Sequence, residues 1–186
     1  MPNPLELWLP ILVAAIAVHI LSAILHMALP YHRKDYGGVP DENALLAALR
    51  GLAIPPGNYN LPYAGDGATA RSPEVQQKMK EGPLALLRIR AGGSFNMGAT
   101  LLQWFIYLLA VNVLIACLAL HALSRDSSST VVTATTGLAA LLAYGAGQPI
   151  ESIWFWRNWS TTVKNIFDAV LYGITTGLVF CWLWPG

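Results

Sequence analysis

The sequence contains few charged residues and few cysteines. Asp, Glu, Lys and Arg make up 11% of its 186 residues, against about 25% in soluble domains, so the chain falls outside that class. Cys117 and Cys181 both lie in apolar runs without C-x-x-C spacing, which argues against a disulfide framework or a thiolate metal site. The formal net charge is +1 and no basic run occurs, so nothing indicates a nucleic-acid partner.

Common catalytic and cofactor motifs are also missing. The sequence has no P-loop and no H-E-x-x-H, G-x-S-x-G or C-x-x-C-H pattern. It shows no pair of inverted repeats with broken helices, which weakens a transporter interpretation. These absences favour a protein that is not an enzyme, and they identify no cofactor.

Hydrophobic residues, by contrast, make up 55% of the chain and are concentrated in long runs. Residues 7–29 carry no charged side chain, and a helix of that length reaches roughly 34 Å, enough to cross a bilayer. Similar runs occupy residues 99–123, 130–150 and 161–184. We therefore predict an all-α integral membrane protein, a four-transmembrane-helix bundle in contact with the lipid bilayer. We expect residues 1–186 to form a single membrane domain.

The connection between the first two spans, residues 30–98, is the one sizeable polar segment. Asp41 and the pair Ser72-Pro73 each precede a run with helical character, so we predict two short helices. Residues 54–67 are rich in turn formers and are expected to be irregular. Residues 84–90 mix apolar and basic side chains and are expected to lie on the membrane surface.

The orientation of the spans follows from the distribution of cations near their ends. Near the span ends, the side with the long loop carries seven cations, whereas the other side has Arg125 alone. The positive-inside rule therefore predicts a multi-pass protein with a cytoplasmic loop and both termini on the opposite side of the membrane. The seven cations are Arg33, Lys34, Lys80, Arg88, Arg90, Arg157 and Lys164.

Two polar residues fall near the middle of the predicted spans. His19 and Asn112 lie at similar depth, and an unpaired imidazole in hydrocarbon costs several kcal/mol. We interpret them as a structural pair joined by an interhelical hydrogen bond. The alternative is that His19 is a cofactor or ion ligand.

A larger polar group falls near the loop-side ends of all four spans. It can be a structural layer that fixes helix register, or a proton- or cation-handling site. In the second interpretation His26 titrates, and His26, Glu151 and Asp168 are the candidate ligands for a divalent or non-haem metal. Lys164 is expected to pair with Asp168 four residues later. The group comprises His26, Gln103, Gln148, Glu151, Lys164, Asn165 and Asp168.

Small residues predict close helix packing. Gly173 and Gly177 form a G-x-x-x-G pattern in the fourth span, and Ala139, Ala143 and Gly147 form a stripe in the third. We expect these stripes to pack the third span against the fourth. A dimer interface is the alternative.

Several segments together resemble a known group of proteins. PYHRKDYGGVPDENALLAALRG, PPGNYNLPY, SPEVQQKMKEGP and the C-terminal WSTTVKNIFDAVLYGITTGLVFCWLWPG are similar to bacterial four-span membrane proteins of unassigned function. The resemblance implies a multi-pass protein of the bacterial inner membrane, and with the orientation expected above both termini are periplasmic. It attaches no activity to any residue.

Three functions are consistent with these observations. The leading hypothesis is a non-enzymatic structural or accessory subunit of a larger inner-membrane complex, which associates with other membrane subunits or with itself. The second is a metal- or proton-coupled membrane protein that uses the His/carboxylate cluster at the loop side. The third is small-solute transport as an oligomer.

Overall fold

The computed structural model describes residues 3–185, and most of them are helical. Four helical segments are long and apolar enough to cross a membrane, namely Leu5–Ala28, Met97–Ala122, Ser129–Phe155 and Trp159–Trp182. The predicted four-span bundle is confirmed, and by this helix composition the chain is a multi-pass membrane protein. The third segment continues five residues beyond the predicted limit at 150.

The first span consists of three consecutive helical types. A 3-10 turn, Pro4–Leu7, leads into helix α1, Trp8–Ala23, and a π turn, Ile24–Ala28, ends the span. Leu29 is extended, with φ −83° and ψ 142°, as is usual for a residue that precedes proline. The chain therefore leaves the helix at Pro30 and forms a second 3-10 turn, Pro30–His32.

The loop between the first two spans forms a compact unit of its own, Gly38–Phe95. Its helices are α2, Glu42–Gly51, α3, Gly67–Ala70, and α4, Pro73–Glu81. The two predicted helices correspond to α2 and α4. Their N-caps are Asp41, which accepts from the Ala44 N–H, and Ser72, which accepts from the Val75 N–H.

Two stretches of this unit differ from expectation, because they form an antiparallel β-hairpin. Strand β1, Gly57–Leu61, lies within the segment expected to be irregular, and β2, Ala85–Ile89, within the segment assigned to the membrane surface. Gly57 pairs with Ile89 and Leu61 with Ala85. Each strand is five residues long, too short for its pattern to reveal a partner so far away in sequence.

The second span is helix α5, Met97–Ala122. The third consists of two helices, α6, Ser129–Gly145, and α7, Gln148–Phe155. The fourth is helix α8, Trp159–Trp182. The third span is interrupted because Pro149 has no N–H and its ring clashes with the carbonyl one turn earlier. Helix α7 ends at Trp156, which adopts the left-handed conformation with φ 56°. The spans pack in the cyclic order α1, α5, α6, α8.

Helices α6 and α8 make the closest contact in the bundle. A Cβ atom added to Gly177 would lie 2.7 Å from the Thr133 carbonyl oxygen, and one added to Gly173 would lie 2.9 Å from that of Gly137. The predicted contact between these spans therefore forms and uses Gly173 and Gly177. Its counterpart on α6 is a different stripe from the predicted one, since Gly147 has no atom within 4 Å of such a Cβ position.

Apolar side chains occupy much of the core of the bundle and also cover its outer surface. Its core includes Leu7, Val18, Leu108, Val132 and Phe180, all less than 2% exposed. Large apolar side chains are also exposed around the spans, for example Ile20, Leu114, Leu142 and Leu178. These outer side chains form the surface that contacts the lipid bilayer.

Candidate metal centre and the cavity beside it

His26 lies in the π turn that ends the first span. Its Nδ1 is 3.1 Å from the Ser22 carbonyl oxygen, and since a carbonyl can only accept, Nδ1–H is the donor. The second ring nitrogen, Nε2, lies 3.7 Å from Oδ2 of Asp168, beyond hydrogen-bond distance. His26 therefore directs its Nε2 towards a buried carboxylate, from the kind of irregular turn that is frequent at functional sites.

A second histidine, His32, reaches the same carboxylate from the turn that follows the span. Its Nε2 is 2.9 Å from Asp168 Oδ2, and its Nδ1 is 2.6 Å from Asp35 Oδ2. The His32 ring thus bridges the two acidic side chains, with one ring nitrogen at hydrogen-bond distance from each carboxylate.

Asp168 is the centre of the cluster and is only 2% exposed. Its Oδ1 accepts a hydrogen bond from the Tyr31 hydroxyl while Oδ2 faces both histidines. Burial is the main cause that raises the pKa of Tyr31 well above its ordinary value, and the hydrogen bond to Asp168 raises it further. Tyr31 is therefore a neutral phenol that donates to the carboxylate.

Lys164 lies one turn before Asp168 on α8 but pairs elsewhere. Its Nζ donates to Asp35 Oδ1 at 2.6 Å and to the Tyr31 carbonyl at 2.7 Å, so the expected pairing with Asp168 is replaced by these contacts. Burial of Asp35 raises its pKa, but hydrogen bonds from Lys164 and His32 outweigh this effect and the net pKa is lowered. Asp35 is therefore ionised at neutral pH.

The cluster has the composition and size of a metal site. His26, His32 and Asp168 each offer one ligand atom, and these atoms lie within 4.8 Å of one another. Metal–ligand bonds of about 2.1 Å place two ligand atoms roughly 3.0 Å apart at a right angle and about 3.4 Å apart in a tetrahedron. The observed separations of 2.9 and 3.7 Å to Asp168 fall near these values.

The two imidazole rings, however, are not yet oriented as joint ligands. Their centroids are 4.2 Å apart and their planes are inclined by only 8°, whereas each lone pair lies in its own ring plane. One ring must turn for both Nε2 atoms to face one ion. The His26 side chain is 47% exposed, against 9% for that of His32, so His26 has the room to turn.

The structure brings some of the sequence-predicted residues together and leaves others apart. His26 and Asp168 approach each other, but Glu151 lies on α7 and is not part of the group of three. Three contributors, Tyr31, His32 and Asp35, were missed. Sequence spacing gave no signal for them, because they follow a π turn and a proline and do not continue the helical face of His26.

A cavity of about 600 Å³ opens beside the cluster, between the loop-side halves of the spans. His26 and Asp168 belong to its lining, whereas most of the remaining wall is apolar or aromatic. Trp104 Nε1 donates to Ser22 Oγ at 2.9 Å and fixes one wall. Ala23, Met27, Met97 and Tyr107 also line the cavity.

The polar layer next to the cavity is held mainly by an arginine. Arg157 donates through Nη2 to the Gln148 carbonyl at 2.6 Å and to Gln148 Oε1 at 3.0 Å. Asn165 donates to the same Oε1 at 3.1 Å. These bonds tie the start of α7 to the start of α8, which agrees with the interpretation that part of the polar group fixes helix register.

The expected hydrogen bond between His19 and Asn112 is not formed. Asn112 donates instead to the Leu108 carbonyl of its own helix. Among residues 3–185, neither its Oδ1 nor His19 Nδ1 has a hydrogen-bond partner. The His19 ring packs edge-on against Phe105 with centroids 5.6 Å apart. The two side chains therefore share a depth in the bundle without meeting.

Comparison of the chain with protein-family models, with curated proteins and with solved structures found no match. The arrangement of residues within the four-span bundle is therefore the basis on which a function can be assigned.

Proposed function

We propose that this chain is a membrane protein that binds a divalent transition-metal ion through His26, His32 and Asp168. One observation carries the proposal: ligand atoms from three separate elements lie within 4.8 Å of one another at the loop-side end of the bundle. A purely structural hydrogen bond would need only His32 and Asp168. The approach of His26 Nε2 to the same oxygen, without a hydrogen bond, is what a shared ion would explain.

The type of ligand indicates the class of metal. Two imidazole nitrogens and one carboxylate oxygen suit Zn²⁺, Fe²⁺ and related first-row ions, whereas Ca²⁺ and Mg²⁺ prefer oxygen ligands. Three protein ligands leave at least one coordination position for water or another molecule.

The surrounding contacts support metal binding as well. Metal-binding histidines usually donate their other ring N–H to a carboxylate or a backbone carbonyl. His32 makes such a bond to Asp35 and His26 to the Ser22 carbonyl. Tyr31 holds the second oxygen of Asp168, so each ligand already has a partner that orients it.

Charge also favours a cation at this position. Two acidic side chains, Asp35 and Asp168, and one basic side chain, Lys164, meet in this cluster. The excess of acidic groups attracts a cation. A histidine binds a metal through a deprotonated nitrogen, so a metal ion would occupy the position of any proton on the Nε2 atoms of His26 and His32.

The test is direct measurement of metal binding by the purified protein in detergent. Zn²⁺ titrated into chelator-treated protein is expected to bind with a stoichiometry of one per chain, measured by calorimetry and by elemental analysis after gel filtration. His26→Ala, His32→Ala and Asp168→Asn should each abolish tight binding. Asp35→Asn, which removes the carboxylate that orients His32 and pairs with Lys164, should lower the affinity about 10–100-fold.

The matched control is His121→Ala. His121 is bonded to the Cys117 carbonyl on α5 and lies near the opposite end of that helix, so its loss should leave Zn²⁺ binding unchanged. Equal Zn²⁺ binding by wild type, His32→Ala and Asp168→Asn would show that the metal sits elsewhere and would refute the proposal.

The location of the site relative to the membrane is part of the same proposal. The loop-side cations support a cytoplasmic position for residues 30–98 and hence for the metal site in a bacterial inner membrane. The hypotheses of an accessory subunit and of oligomeric transport stay predictions. The close packing of Gly173 and Gly177 against α6 uses within the chain the small residues that had suggested a partner.

A further inference from the structure

We infer that the cavity beside His26 and Asp168 binds a lipophilic carboxylate, with its head on the metal ion and its apolar chain between the spans. The inference rests on the proposed metal site. It assigns the cavity a ligand class, and with it a role for the residues that form its walls.

The position of the cavity determines where the head of a ligand would lie. His26 and Asp168 belong both to the metal cluster and to the cavity lining. An ion held by them therefore borders the cavity, and its remaining coordination position is reached from that side. His32 and Asp35, by contrast, are not among the lining residues.

Charge determines the kind of head group. Asp168 is the one anionic residue among the three ligands, so a divalent ion bound by two imidazoles and this carboxylate keeps one excess positive charge. An anionic oxygen donor removes this excess where the ion borders the mostly apolar wall of the cavity, a position at which an uncompensated charge is costly. A carboxylate fulfils both requirements, because it is anionic and a metal ligand.

The walls determine the body of the ligand. The lining residues on α5 extend from Met97 to Tyr107, which at about 1.5 Å per residue is roughly 15 Å along the helix axis. Ala23 and Met27 face this stretch from the first span. Met27 and Met97 are 64% and 48% exposed, so the rim consists of flexible apolar side chains through which a lipid-phase molecule can pass.

The volume is also appropriate. A cavity of about 600 Å³ lies within the usual range for small-molecule sites, roughly 300–1,000 Å³. Such sites are mostly apolar with a few polar groups, and here those groups include the metal ligands His26 and Asp168 together with Gln148 and Asn165.

The experiment uses the full-length protein in detergent, loaded with Co²⁺, whose visible absorption reports changes in coordination. Decanoate is the probe, acetate has the same head without the chain, and decanol has the chain without an anionic head. We expect decanoate to change the Co²⁺ spectrum at a concentration at least ten times lower than acetate, after correction for partition into micelles. Decanol should leave the spectrum unchanged.

A pair of variants tests the cavity itself. Ala23→Phe places a large ring on the cavity wall and should raise the required decanoate concentration at least tenfold without altering the response to acetate. Ile24→Phe, at the neighbouring exposed position outside the lining, is the control and should behave as wild type.

The outcomes separate the two proposals. Absence of Co²⁺ binding overturns the metal site and the present inference with it. Co²⁺ binding with equal responses of the wild type to decanoate and acetate overturns this inference alone, whether or not the Ala23→Phe variant folds. Equal decanoate responses of folded Ala23→Phe and Ile24→Phe overturn it as well.

Discussion

Replacement of Gly177 by alanine tests the closest helix contact in the bundle. The new Cβ would lie 2.7 Å from the Thr133 carbonyl oxygen, 3.2 Å from Thr133 Cγ2 and 3.3 Å from Gly137 Cα. Two of these three neighbours are backbone atoms, so no side-chain rotation can relieve the contact with them. Helices α6 and α8 must instead move apart by several tenths of an ångström.

The expected cost can be separated from the intrinsic effect of alanine on a helix. Overpacking of this kind costs about 1–3 kcal/mol, whereas Ala is favoured over Gly in a helix interior by about 1 kcal/mol. Gly98→Ala provides the control for the second effect, because Gly98 lies in the first turn of α5 and an added Cβ would be 3.5 Å from Asn96 Oδ1, an ordinary van der Waals distance. We therefore expect Gly177→Ala to be about 1–3 kcal/mol less stable than Gly98→Ala.

The measurement is reversible unfolding by SDS in mixed micelles, followed by tryptophan fluorescence, with the free energy of unfolding compared between the two variants. A Gly177→Ala protein as stable as Gly98→Ala would mean that α6 and α8 do not approach through their backbones. The described packing of the third and fourth spans would then be wrong.

Two further substitutions test the polar interior by the same unfolding measurement. Tyr31→Phe removes the donor to Asp168 Oδ1 and should lower the free energy of unfolding by about 1–3 kcal/mol, because it leaves a buried carboxylate oxygen without that hydrogen bond. The control is Tyr36→Phe, at a residue 93% exposed, which should have no effect. Equal stability of the two variants would contradict the contact between Tyr31 and Asp168. Asn112→Leu should increase stability or leave it unchanged. Asn112 is 0% exposed, and its Oδ1 has no hydrogen-bond partner among the described residues. Replacing such a group by an apolar one of similar size removes a desolvation penalty. A marked loss of stability in Asn112→Leu would instead favour the hydrogen bond to His19 that the sequence had suggested.

The four spans could be predicted because the signal for each is local. A transmembrane helix satisfies its own backbone hydrogen bonds, so a continuous apolar run of sufficient length is enough to identify it. The caps of α2 and α4 were predictable for a similar reason, since Asp41 and Ser72 bond to N–H groups three residues ahead.

The hairpin between β1 and β2 was missed because its signal is not local. Residues 57–61 pair with residues 85–89, and two helices, α3 and α4, separate the two strands in sequence. Neither five-residue strand carries enough alternation to be recognised alone. The same limitation applied to the stripe on α6, because several small-residue patterns exist on that helix and only packing selects the one that contains Gly137.

The candidate site was predictable from the sequence only in part. Sequence placed His26 and Asp168 at one end of the bundle, since depth along a span follows from counting residues at a fixed rise. The structure added His32, 136 residues from Asp168, and paired Lys164 with Asp35. Depth is a property of each helix by itself. Which side chains meet depends on how the helices rotate and pack, and on the turn at Pro30 that brings the chain back to α8.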